Sequence, residues 1–151
     1  MDQAKGTTVK ASTDSLVQAM LNAEFYPQPP GNVGHLETHI SHLFFAGELV
    51  YKFKKPVHYS FLDFSTIEKR QYFLQEELRL NRRLAPSVYI AVLPIAFDDL
   101  GWRLDGLAAP AEYTLVMRRL PDKRMLPYLL DSGRVTEAVD RPVLIPDRCG
   151  Q

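Results

Sequence analysis

The order of apolar and polar positions divides the chain into short elements. In "TDSLVQAMLNAEFYP", Leu16, Val17, Met20 and Leu21 recur at helical spacing behind a cap from Thr13 or Ser15. "PQPPGNVG" (27–34) ends that helix in a loop. "HLETHISHLFFAGELVYKFKKPV" (35–57) reads as strands, with Gly47-Glu48 turning "HLFFA" into "LVYKFKK". A loop, "HYSFLDF", leads into "STIEKRQYFLQEELRLNRRLAP". Ser65 and Glu68 stand there at capping-box spacing, and Pro86 closes the helix. "SVYIAVLPIAF" and "AEYTLVMRRL" follow as strands, separated by the turn residues of "DDLG", "LDG" and "AAP". A short helix is expected after Pro121. The predicted fold class is α+β: an antiparallel sheet with one long packed helix. The expected organisation is a disordered N-terminus over 1–12, one lobe over 13–120, a helical segment over 121–136 and an irregular tail over 137–151.

One stretch breaks the strand pattern. "VYKFKKPV" (50–57) places Lys52, Lys54 and Lys55 in a strand, although lysine is a poor strand former and a buried ammonium needs a partner. Alternation puts Val50, Lys52 and Lys54 on one face, and Tyr51, Phe53 and Lys55 on the other. The aromatic face is the better core face, so Lys52 and Lys54 are expected on a second, polar surface, and Lys55 near water. On the long helix, Phe73, Leu74, Leu78, Leu80 and Leu84 mark an apolar stripe with Glu77 in its middle. A core-facing carboxylate needs a cation. The expected pair is Glu77 with Lys52, and Lys54 is the competing partner. Protein kinases hold the phosphates of ATP with such a strand lysine oriented by a helix glutamate. The plainer reading is edge protection by the lysines and an exposed helix glutamate.

Composition narrows the classes. The 151 residues suit one domain, and 46% hydrophobic with 24% charged residues is ordinary for a globular chain. Basic and acidic residues balance at 18 each, so no global charge draws the chain to nucleic acid or to an anionic membrane. One cysteine, Cys149, allows no intrachain disulfide and suits a reducing compartment. The N-terminus has no signal-like apolar run, and "VYIAVLPIAF" is too short to span a bilayer. A cytoplasmic protein is expected, with no nucleic-acid or membrane partner.

Other candidate chemistry is thin. His39 and His42 fall on opposite faces of a strand, and neither they nor His35 have an acidic or cysteine partner at ligand spacing. The arginines of "RLNRR" spread around the helix as a solvated face. Cys149, Ser41 and Ser60 lack a base at a recognisable spacing.

The ordered motifs "ETHIS" (37–41), "YKFKKPV" (51–57), "FLDFST" (61–66), "EELRLNRRLAP" (76–86) and "MRRLP" (117–121) carry a resemblance. From the first helix to about residue 136 the chain resembles the N-terminal part of aminoglycoside phosphotransferase-like proteins, of the type often fused to a P-loop ATPase domain. The resemblance implies a protein-kinase-like N-terminal lobe and ATP as cofactor. It places the motif glutamate on Glu77 and the strand lysines on Lys52 and Lys54, with Lys52 preferred as phosphate ligand. It implies that Val50 touches the adenine, and that Thr38, His39 and Ser41 belong to the loop over the phosphates. It puts the hinge at Arg118–Leu120, with Met117 packed behind the base.

The chain also departs from that family. No histidine follows His58, no "HGDxHxxN"-like loop or later Mg²⁺-holding aspartate occurs, and no GxxxxGK[ST] is present. The second lobe is expected to be missing. Two readings follow. One is a truncated phosphotransferase that keeps the ATP-contacting lobe, whose parent reaction phosphorylates a small-molecule hydroxyl. The other is a non-catalytic remnant or interaction module with little or no nucleotide binding.

Overall fold

The computed structural model describes residues 11–104 and 108–120. The expected helical segment at 121–136, the tail at 137–151 and residues 1–10 of the disorder expected over 1–12 lie outside the described residues.

Helix α1 spans Thr13–Leu21. Its cap is Ser12, not Thr13 or Ser15. Ser12 Oγ accepts from the Ser15 N–H at 3.1 Å, and Ser15 Oγ accepts from the Ser12 N–H at 3.0 Å. This reciprocal box satisfies two end groups at once, with serine in place of the usual Glu. A short 3₁₀ turn, Ala23–Phe25, follows.

Strands β1 (Val33–Glu37), β2 (Ser41–Ala46) and β3 (Leu49–Lys54) form an antiparallel meander. Gly47, at φ 63°, makes the tight β2–β3 turn where the sequence predicts it, in a conformation that costs glycine nothing. The stretch expected as a loop holds a small hairpin of β4 (His58–Tyr59) and β5 (Leu62–Asp63). Helix α2 runs over Ile67–Arg82. The two later strands are β6 (Tyr89–Asp98) and β8 (Pro110–Arg118), with an unforeseen β7 (Gly101–Arg103) folding back on β6. The six-stranded sheet has the order β1-β2-β3-β8-β6-β7, and every neighbouring pair is antiparallel.

Both faces of the sheet are covered. On one, Leu16 and Met20 of α1 pack with Phe44, Tyr51, Phe53, Ile95 and Val116. On the other, Leu74 and Leu78 of α2 pack with Leu43, Val50, Leu115 and Met117. The fold is therefore α+β, as predicted, with α1 as a second packed helix. Among the described residues no helix is long and apolar enough to cross a membrane.

Two details of α2 differ from expectation. Its cap is Thr66, whose Oγ1 accepts from the Lys69 N–H at 3.2 Å. Ser65 is drawn away by Asp63, to which its N–H and hydroxyl both donate. The buried stripe is Arg70, Leu74, Glu77 and Leu78. Leu84 lies beyond the helix end and is 86% exposed, while Phe73 is rotated off the stripe, edge-on to Phe64.

Candidate functional site

The two lysines of β3 point to the α2 side, as alternation requires. That side is not the polar surface expected for them. Lys52 sits opposite Leu43 of β2 and Leu115 of β8, so apolar neighbours flank it on a central strand. Glu77 reaches down from α2 between the two ammonium groups. Lys52 Nζ lies 2.5 Å from Glu77 Oε2, and Lys54 Nζ lies 3.5 Å from Oε1. All three side chains are at most 3% exposed. Lys54 Nζ also sits 4.6 Å above the centre of the Phe64 ring, a cation–π contact in a site that excludes water. Thr114 Oγ1 donates to the Lys52 carbonyl at 3.1 Å, fixing the backbone beneath the site. Lys55, on the other face, pairs with exposed Glu37 at 2.6 Å, and that bond holds the Glu37 carboxyl below its usual range.

The segment Thr38–Ser41 is a tight turn between β1 and β2. The Thr38 N–H donates to the Ser41 carbonyl at 2.9 Å, and Thr38 Oγ1 accepts from the Ser41 N–H at 3.0 Å and the Ile40 N–H at 3.3 Å. Thr38 and Ser41 are buried and His39 is exposed. Ser41 pairs in register with Lys54, so its side chain shares the lysine face. Ser41 Oγ is buried with no hydrogen-bond partner, an arrangement proteins rarely leave standing.

Val50 and Met117 are register partners in the apolar cluster beside the lysines. Val50 is wholly buried and presents no open surface. Leu120 packs at the margin of the same cluster, and Arg118 is exposed. The Arg118 N–H donates to the Val88 carbonyl and the Arg119 N–H to the Glu48 carbonyl, each at 2.7 Å. Neither N–H is open to a ligand. The structure thus brings together Ser41, Val50, Lys52, Lys54, Glu77 and Met117, sets Thr38 in the adjoining turn, and leaves the side chains of His39 and Arg118 in water.

Two clusters escaped sequence reasoning. Arg70 Nε donates to both carboxylate oxygens of Glu112 on β8, at 3.0 and 3.1 Å, and Arg70 Nη1 donates to the Phe64 carbonyl at 2.9 Å. Burial pushes the Glu112 carboxyl above its usual range, and Arg70 opposes that push. The signal was available: Arg70 precedes Glu77 by seven residues, two helical turns on one stripe. The second cluster is a histidine pair. His35 Nε2 and His42 Nδ1 lie 3.0 Å apart, and the His42 ring stacks toward Phe53. Burial, with the Lys55 ammonium nearby, lowers His42 to about 4. Among the described residues no three His, Cys, Asp or Glu side chains converge as metal ligands.

No protein-family model matches the chain, and no solved structure matches it. Over 101 residues it is 35% identical to uncharacterized proteins of Mycobacterium bovis and Mycobacterium tuberculosis. The matched stretch covers 67% of this chain and 19% of each relative, so the chain corresponds to a small part of a longer protein in those organisms.

Proposed function

We propose that the β3–α2 site is the phosphate-contacting centre of a nucleotide-binding lobe, of the aminoglycoside phosphotransferase-like, protein-kinase-like type that the sequence motifs resemble. One observation carries the reading. A helix carboxylate, sealed from water, is gripped by two ammonium groups of a central strand. Burying three charges is costly, and apolar residues of the same volume often serve stability as well or better. Retention of the charges points to a task, and an ammonium oriented by a carboxylate is suited to phosphate oxygens. The unpartnered hydroxyl of Ser41, on the same face, adds a donor.

In the parent reaction a small-molecule hydroxyl oxygen would bond to the γ-phosphorus of ATP as the bond from that phosphorus to the β,γ-bridging oxygen breaks, ADP leaving with the electron pair and the hydroxyl proton passing to a general base or to solvent. ATP, carried with Mg²⁺, is the cofactor of that reaction. The described residues supply the phosphate contact. Glu77 is committed to the lysines, and no described residue is assigned the role of base or Mg²⁺ ligand. This chain alone is therefore expected to show no phosphoryl transfer.

The burial of Lys52, Lys54 and Val50 favours a second reading, in which the charged triad is a structural lock in a non-catalytic interaction module. Titration calorimetry with ATP separates the two. The nucleotide reading expects saturable binding that Lys52→Met weakens about tenfold or more, as loss of one charge-assisted contact does. Absence of binding, or binding indifferent to Lys52→Met, selects the structural reading.

A further inference from the structure

The triad does not stand alone. Helix α2 is fastened to the sheet at two charged points on one stripe, Arg70 to Glu112 of β8 and Glu77 to Lys52 of β3. The two points are separated by about 10 Å along the helix axis. Arg70 makes a further bond, to the backbone carbonyl of Phe64, and the ring of that residue lies beneath the Lys54 ammonium. A continuous set of contacts therefore runs from Glu112 through Arg70 and Phe64 to Lys54, Glu77 and Lys52. Phe64 is 1% exposed.

We propose that Arg70 is a positioning residue for the triad. Clamped in its two-oxygen grip on Glu112, it sets the rotation and height of α2 so that Glu77 meets Lys52, and it sets Phe64 so that its ring meets Lys54. A planar guanidinium suits this role because one side chain satisfies a carboxylate and a carbonyl in fixed directions, which a lysine ammonium does not. The role in nucleotide binding rests on the reading of the preceding section. The effect on the triad's geometry does not.

The test uses the full chain with Arg70→Met, Arg70→Lys and Glu112→Gln, each compared with wild type below its unfolding temperature. Nuclear magnetic resonance reads the Lys52 ammonium, through its exchange with water, and the Glu77 side-chain carboxyl, through its ¹³C chemical shift. In Arg70→Met, with helical circular dichroism unchanged, Lys52 is expected to exchange at least about tenfold faster, the size of coupling seen within one hydrogen-bonded network. The Glu77 side-chain carboxyl ¹³C resonance should shift as its contact with Lys52 loosens. Arg70→Lys should restore these signals only in part. If Arg70→Met fails to fold, Glu112→Gln carries the same test with little change of volume. A Lys52 exchange rate and a Glu77 carboxyl resonance unchanged in a folded variant overturn the proposal. ATP affinity is measured in parallel with Lys52→Met. If Lys52→Met leaves it unchanged, the nucleotide reading fails, while the resonance signals still decide the part played by Arg70.

Discussion

Glu77 Oε2 and Lys52 Nζ meet at 2.5 Å across the gap between helix and sheet, and neither side chain sees solvent. Removing either partner leaves a buried charge without its main counterion. Glu77→Leu and Lys52→Met should each lower the unfolding free energy by about 3–5 kcal/mol, and the double variant Lys52→Met/Glu77→Leu by less than the sum of the two. Urea titrations of the four proteins make the measurement. Additive losses in the double variant would show that the two groups do not act as a pair.

Lys54 shares the same carboxylate from farther away, 3.5 Å, and rests on an aromatic ring. Lys54→Met keeps the stem against Phe64 and leaves Glu77 with its closer partner. Its cost should fall below that of Lys52→Met, in the range of about 1–2 kcal/mol expected for a cation–π contact and a long ion pair. The same urea series ranks the two lysines, and the reverse order would move the centre of the site to Lys54.

Arg70→Met should have a pH-dependent cost. Glu112 already binds its proton more tightly folded than unfolded, because burial raises its pKa. Without the guanidinium that rise is larger. A carboxyl raised on folding costs stability as pH climbs past its ordinary value, since the native state then gives up a proton it held in preference. The deficit of Arg70→Met relative to wild type should therefore widen from pH 4 to pH 7. Unfolding midpoints at several pH values measure it, and a deficit constant with pH would remove Glu112 from the account.

The histidine pair works in the opposite sense. His35 and His42 are both held below the usual value of 6.5 by burial, His42 down to about 4. As pH falls through 6.5 the unfolded chain takes up protons that the folded chain refuses, so stability is lost between there and about 4. His42→Phe, which keeps the ring between Phe44 and Phe53, should flatten that slope. Urea midpoints across this interval make the comparison, and an unaltered slope would place the acid sensitivity elsewhere.

At the start of α2, Thr66→Ala should cost about 1 kcal/mol by leaving the Lys69 N–H without its cap. Ser65→Ala removes only the hydroxyl's bond to partly exposed Asp63, the N–H bond to Asp63 remaining, and should cost less. Thermal unfolding of the two variants distinguishes the caps.

Several features were legible before any coordinates. Gly47 announced the β2–β3 turn, since few residues accept its left-handed backbone. Period-two alternation put Lys52 and Lys54 together, and period 3.6 put Glu77 toward the sheet, which was enough to pair them. Other features were not. Ser12 and Thr66 displaced the expected caps because the choice among adjacent serines and threonines depends on which hydroxyl a neighbour such as Asp63 claims first. The loop at 58–64 gave no sign of its hairpin, since two-residue strands have no period. The lysine face read as polar because the sequence does not show that the sheet has two covers.

Local pattern alone determined which residues could form helices and strands, and which charged groups shared a face, because side-chain direction follows from backbone period. Only the folded chain decided that α1 covers one side of the sheet and α2 the other, that Arg70 finds Glu112 forty-two residues away, and that His35 meets His42. Those contacts depend on sheet order and helix placement, which emerge from packing the whole molecule and leave no local period in the sequence.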